Sequence, residues 1–259
     1  MEGQRRALAA RAEAERRNAQ EIVIAKQVQA RLLPQRIPAR RLTDFAGICI
    51  QAHQVGGDYY DFLDMGRGVL CFAVADIAGK GLGAALLMAN LQAALRSHSA
   101  MAIESPERLL VTLNQLFYEN TAESSYATLF LAVLREETRQ LTYLNCGHLS
   151  GLIARSNGTL ISLDSTATVL GLFENWTCSA QSCAIAPGDT LVMYTDGVTE
   201  SVNAAGDDFG ENRLKNVVLT RRHLTAEGLM KAIVDEVRSF ATGEQQDDVT
   251  VLVMKCNEE

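Results

Sequence analysis

Proline is scarce in this chain of 259 residues, with four copies, tryptophan occurs once, and no apolar run approaches the roughly 18 residues of a membrane span. The N-terminus is polar and arginine-rich and lacks the apolar centre of a signal peptide, so a cytoplasmic protein is expected. Four histidines, His53, His98, His148 and His223, show no ligand spacing, which argues against zinc. Six cysteines are scattered through hydrophobic runs without a C-x-x-C pair, the pattern of reduced, buried thiols. There is no G-x-S-x-G elbow, and none of the cysteines sits in a recognisable nucleophile context, so nothing points to covalent catalysis.

What is present is enough for one globular domain and an appendage: 47% hydrophobic and 21% charged residues. Charge is split. Residues 1–42 hold ten Lys/Arg against four Asp/Glu, whereas the rest of the chain holds 14 against 27, giving −7 in all. A body this acidic is a poor nucleic-acid binder and repels a phosphorylated substrate, unless bound divalent cations reverse the local field.

Residues 2 to about 33 are rich in Ala, Arg, Glu and Gln and predict one long helix, ended by Pro34 and Pro38. Its apolar residues gather late, at Ile22, Ile24, Val28, Leu32 and Leu33, and need cover either from the domain or from a second copy of the helix. We therefore divide the chain into a helical linker, 1–41, a candidate for dimerisation, and a domain, 42–259. In the domain, β-like runs fall at about 45–52, 58–64, 68–76, 126–135, 140–145, 149–155, 159–163, 178–185, 189–195 and 248–256. Turn signals such as Asn157-Gly158 and Pro187-Gly188-Asp189 separate them, which predicts antiparallel sheets. Helices are expected at 82–97, 105–120, 209–219 and 225–240. Strands grouped apart from paired helices give an α+β fold, two antiparallel sheets packed as a sandwich and flanked by helices.

Aspartates stand at the ends of these apolar runs: Asp58 after Gly56-Gly57, Asp76 after Phe72-Ala73-Val74-Ala75, Asp196 after Leu191-Val192-Met193-Tyr194-Thr195, and Asp247-Asp248 before Val249-Thr250-Val251. Carboxylates converging where a sheet meets solvent repel one another unless cations lie between them, so the pattern suggests a hard-metal site. Asp76 also leads into Ile77-Ala78-Gly79-Lys80-Gly81, a glycine-rich turn opening a helix, where backbone N–H groups can receive phosphate. Each piece alone has a plainer reading as a tight or solvated turn; the conjunction carries the argument. The chemistry it suggests is hydrolysis by metal-activated water at two Mg²⁺ or Mn²⁺ ions. His148 follows a strand and either approaches this site or is a hydrogen-bonded turn residue.

Two look-alikes fail. Gly79-Lys80 resembles the end of a P-loop, but Val74 replaces the first glycine and Gly81 the Ser/Thr that would hold Mg²⁺. Gly56-Gly57-Asp58-Tyr59-Tyr60 is similar to the GGDEF motif of diguanylate cyclases, yet Tyr-Tyr replaces Glu-Phe.

Six ordered blocks resemble the SpoIIE and RsbU branch of the PPM metal-dependent phosphatases. They are Val55 to Asp61, Val74 to Gly81, Tyr126 to Phe130, Asn145 to His148, Tyr194 to Glu200 and Gln246 to Thr250. The resemblance implies a Mn²⁺- or Mg²⁺-dependent serine/threonine protein phosphatase, typically acting on an anti-sigma-factor antagonist in bacterial partner switching. It implies that Asp76 bridges two metals with help from the Ile77 carbonyl. Asp196 and Asp247 would complete the coordination of the second metal, with Asp248 as the alternative to Asp247, and Asp58 would support the first metal directly or through water. Asp76 and Asp196 then act in catalysis through the activated water, Gly79 and Gly81 shape the turn that admits phosphate, and Lys80 is a weak candidate to bind it. Ala78 stands where the eukaryotic relatives carry a histidine, so that general acid is absent. The segment Ala25 to Pro34 resembles the helix through which an upstream sensor or regulator acts. The competing reading is a pseudophosphatase scaffold that binds a regulatory partner without turnover. Docking specificity is expected in the loops 165–180 and 199–212.

Overall fold

The apolar runs form strands and the helical patterns form helices throughout residues 2–121 and 125–257, which this computed structural model describes. The strands are β1 Thr43–Ile50, β2 Tyr59–Asp64, β3 Val69–Ile77, β4 Ala127–Arg135, β5 Gln140–Cys146, β6 Gly151–Ala154, β7 Leu160–Leu163, β8 Gln181–Ala184, β9 Thr190–Tyr194 and β10 Val249–Cys256. The helices are α1 Glu2–Leu32, α2 Gly81–His98, α3 Met101–Glu104, α4 Pro106–Asn120, α5 Asp196–Thr199, α6 Gly210–Arg221 and α7 Ala226–Phe240. Two of them, α3 and α5, are single turns that the sequence pattern does not announce. The long ones begin where their caps dictate: Ser105 accepts the Arg108 N–H ahead of Pro106, and Thr225 accepts the Gly228 N–H.

The strands make two five-stranded sheets, in the orders β1-β10-β9-β6-β7 and β2-β3-β4-β5-β8, and every named pairing is antiparallel. The fold is the expected sandwich, and its layers follow from the two-residue period of a strand. In β3, Cys71, Ala73, Ala75 and Ile77 face a core shared with α2 and α4, while Leu70, Phe72 and Val74 face the core between the sheets. In β10, Val249, Val251 and Val253 pack under α6 and α7, while Leu252 and Met254 join the inter-sheet core. Because both faces of the central strands are covered, those strands read as unbroken apolar runs. Phe45 fixes the inter-sheet layer, its ring edge-on to Phe62 and to Phe72 at 5.6 Å each.

The domain covers only the end of α1. Its last turn docks, with Gln29 buried and Leu32 and Leu33 packed on the core, whereas Val23, Ile24 and Val28 remain about half exposed.

Candidate metal centre

Adjacent strands in each sheet bring the acids to one end of the sandwich. Asp58 precedes β2 and Asp76 lies near the end of β3, its hydrogen-bonded neighbour; Asp196 follows β9, and Asp247-Asp248 lead into β10, its neighbour in the other sheet. Hydrogen bonds across the sheets lock the two pairs together. Asp58 Oδ2 accepts from Thr195 Oγ1 at 2.7 Å and from Thr250 Oγ1 at 2.5 Å.

The carboxylates fall into two kinds. Asp58 and Asp248 are buried and held by the protein. Asp248 accepts the Ala52 N–H at 2.8 Å and the Asp58 N–H at 3.4 Å, so it closes the loop that carries Asp58. Its neighbours must be glycine: a Cβ on Gly56 would overlap the Asp248 carboxylate, and one on Gly197 would overlap the Asp248 carbonyl. Burial, and then the charge of Asp76, push the Asp58 carboxyl well above the usual range, against the pull of its two threonine bonds.

Asp76, Asp196 and Asp247 are of the other kind. Burial first, and then the charges of Asp196, Asp247 and Asp248, raise the Asp76 carboxyl to about 7, with Lys80 opposing. Asp196, the first residue of α5 rather than part of an open turn, is raised by burial and then by Asp247. Asp247 is half-exposed and pairs with Lys80 Nζ at 2.6 Å. A small cavity lined by His53, Gly57, Asp76, Lys80, Asp247 and Asp248 opens at this point. Gly57 leaves the Ile77 carbonyl open, since a Cβ there would come within 2.9 Å of that oxygen. Gly79 and Gly81 take positive φ, +108° and +73°, with free space around them, so they are needed for the turn's backbone and leave its surface bare.

Among the described residues no three His, Cys, Asp or Glu side chains are already gathered at ligand distance. His148 belongs to the supporting layer: buried, it donates from Nε2 to the Tyr194 carbonyl at 3.0 Å and accepts at Nδ1 from Thr128 at 2.7 Å. Burial pushes its pKa down to about 4, so it stays neutral.

Sequence reading missed four partners. Gln29 of α1 grips Gly56 from both sides, donating to its carbonyl at 2.7 Å and accepting its N–H at 3.1 Å. Thr195 and Thr250 clamp Asp58; their only local signal is a polar residue inside or beside a buried apolar strand. Arg96 of α2 makes a two-pronged pair with the fully buried Asp61, 2.7 Å on each arm, and Tyr59 donates to the same carboxylate.

The profile of the family described as "Stage II sporulation protein E (SpoIIE)" matches residues 66–257. The chain belongs to the SpoIIE family. It is 30% identical over 237 residues to the phosphoserine phosphatase RsbU of Bacillus subtilis, covering 91% of this chain and 70% of RsbU. Among solved structures, the SiaA PP2C domain of Pseudomonas aeruginosa superposes with a TM-score of 0.82 at 20% identity, covering 94% of this chain and 99% of that one. The SpoIIE phosphatase domain of Bacillus subtilis, with a fragment of its regulatory domain, gives 0.72 at 19% identity, covering 84% and 62%. Both likenesses concern the fold.

SpoIIE-family phosphatases are metal-dependent, and the donor set here fits that chemistry. It consists of hard oxygens from Asp76, Asp196, Asp247 and the Ile77 carbonyl, in a field negative enough to hold a carboxyl near neutrality. A divalent cation held there would relieve that repulsion, while the protein-held Asp58 and Asp248 keep the loops in place.

Proposed function

We propose that this protein is a metal-dependent serine/threonine phosphatase that hydrolyses a phosphoserine or phosphothreonine of a partner protein, and that Asp76, Asp196, Asp247 and the Ile77 carbonyl hold Mn²⁺ or Mg²⁺, two ions. The observation that carries it is the group of three acids, drawn from three distant segments: burial and the neighbouring acids raise Asp76 and Asp196 above the usual carboxylate range, and Asp247 pairs with Lys80. Bound ions supply an activated water and a clamp for the phosphoryl oxygens. The chain's own residues do the rest. Thr195 and Thr250 orient Asp58 behind the site, and Asp248 fixes the Gly56-Gly57 loop so that the Ile77 carbonyl stays uncovered. The bare turn at Gly79 and Gly81 admits the phosphate at the start of α2, whose first N–H groups point outward. Lys80, tied to Asp247 and to the Gln246 carbonyl at 2.9 Å, is placed to neutralise charge at the rim. Water attacks phosphorus, the bond to the serine oxygen breaks, and that oxygen takes a proton from solvent, because Ala78 offers none.

The partner is of the anti-sigma-factor antagonist type, and a regulator acts through α1, whose exposed Val23, Ile24 and Val28 suit a second helix. No helix among the described residues is long and apolar enough to cross a membrane, and we place the protein in the cytoplasm. The test is phosphate release from a phosphoserine peptide with and without Mn²⁺. The unaltered protein should require the metal and Asp76→Asn should lose at least about a hundredfold in rate. Metal-dependent partner binding without any turnover would instead establish the scaffold reading.

A further inference from the structure

Beside the acids lies a second cavity that the chemistry above does not use. It is a groove of about 970 Å³, counted with its solvent-open mouth, between the start of α5, the last turns of α7 and the segment that leads into β10. Its lining is mixed: Val202, Val234, Val237 and Val249 stand beside Glu200, Ser201, Thr242, Glu244 and Gln245. Asp247 and Lys80 line it as well as the small cavity at the acids, and Arg238 is also part of its lining. Arg238 is exposed and has no hydrogen bond or ion pair among the described residues, although the rest of the domain is rich in acids.

We propose that this groove is the specificity subsite of the phosphatase: it takes an apolar side chain of the segment flanking the phosphoserine, and Arg238 pairs with a carboxylate of the same segment. The inference rests on the proposed phosphatase reading and adds to it the chemistry of the substrate. Continuity supports it, because a chain whose phosphate sits at Asp247 runs directly into the groove. The lining supports it too, because it joins four valines to Arg238, an exposed cation with no partner of its own among the described residues. The arrangement divides the labour: the acids and their ions handle phosphate common to all substrates, and the groove discriminates among phosphoproteins by a neighbouring residue.

The experiment uses a set of phosphoserine peptides in a Gly/Ser background, in which one leucine and one glutamate are moved stepwise away from the phosphoserine on either side. p-Nitrophenyl phosphate, too small to reach the groove, serves as the reference. One register should be hydrolysed with a kcat/KM about tenfold above the plain Gly/Ser peptide. Thr242→Trp, an exposed rim residue enlarged to fill the groove, should abolish that preference through KM while p-nitrophenyl phosphate turnover stays unchanged. Arg238→Glu should lower the preferred peptide about two- to fivefold and favour its lysine counterpart. Equal rates for all peptides, or a Thr242→Trp variant that keeps the preference or loses both substrates together, overturns the proposal. Absence of metal-dependent turnover of p-nitrophenyl phosphate by the unaltered protein would instead overturn the phosphatase reading itself.

Discussion

Asp61 in β2 and Asp76 in β3 belong to paired strands of one sheet, and their surroundings are opposite. Asp61 is fully buried, yet Arg96 meets it with two nitrogens and Tyr59 and the Phe62 N–H add further donors. Asp76 is less buried, and its strongest neighbours are other carboxylates. A fold that supplies one acid with a matched cation leaves the other among like charges. Asp61 is paired with protein groups, whereas Asp76, a metal ligand in the reading proposed above, is left among like charges, and the folded state without a cation bears the strain.

The comparison breaks first at Arg96. Arg96→Ala leaves Asp61 buried without its cation and should lower stability by about 4 kcal/mol, read from denaturant unfolding. A loss under about 1 kcal/mol would mean that Asp61 does not depend on its partner. Asp76→Asn should do the reverse in metal-free protein. Its carboxyl titrates near 7 in the fold and near 3.8 in a free chain, so above pH 7 the fold carries a charge it disfavours. That penalty fades as pH drops from 7 towards 3.8, where the folded protein takes up the proton. Asp76→Asn should therefore be more stable than the parent by about 3 kcal/mol at pH 8, with the gap closing by pH 4. Saturating Mn²⁺ should invert the order. An unchanging gap across pH would show that Asp76 is not the strained group.

Gln29→Ala tests the link between α1 and the Gly56 loop and should cost about 2 kcal/mol, since it strands two backbone groups and the Gln51 amide. Hydrogen exchange at Gly56 should accelerate, whereas protection in the inter-sheet core should be kept. The smallest effect belongs to Lys80→Gln. Its pair with Asp247 is exposed, so stability should shift by under about 1 kcal/mol, while the Mn²⁺ concentration needed for half-maximal binding falls because a competitor for Asp247 is gone.

Much of this was legible beforehand. Val and Leu runs bounded by glycine turns marked the strands of both sheets to within a few residues, because burial on two faces writes itself into consecutive positions. The gathering of Asp58, Asp76, Asp196 and Asp247-Asp248 was legible for the same reason: each sits at the end of such a run. What distinguishes those acids was not. Asp58 is clamped by Thr250, 192 positions away, and Asp248 holds Ala52 across 196. Contacts this distant leave no local periodicity, and neither does the pairing of Arg96 with Asp61. The split of α1 into a docked turn and an exposed stripe was equally hidden, since both halves carry similar apolar residues. The groove escaped notice because its walls come from α5, α7 and the segment before β10, stretches whose meeting no local pattern announces.

The wedging of Asp248 between Gly56 and Gly197 bears on how the molecule is born. Strand β10 lies between β1 and β9, so the sheet that carries Asp196 is cut in two until residues 249–256 have inserted. A ribosome that has released everything up to α7 has therefore made a chain with three of the acids but no centre to place them in. That end of the sandwich takes shape only with β10, and a nascent chain cannot assemble it before synthesis has passed that strand.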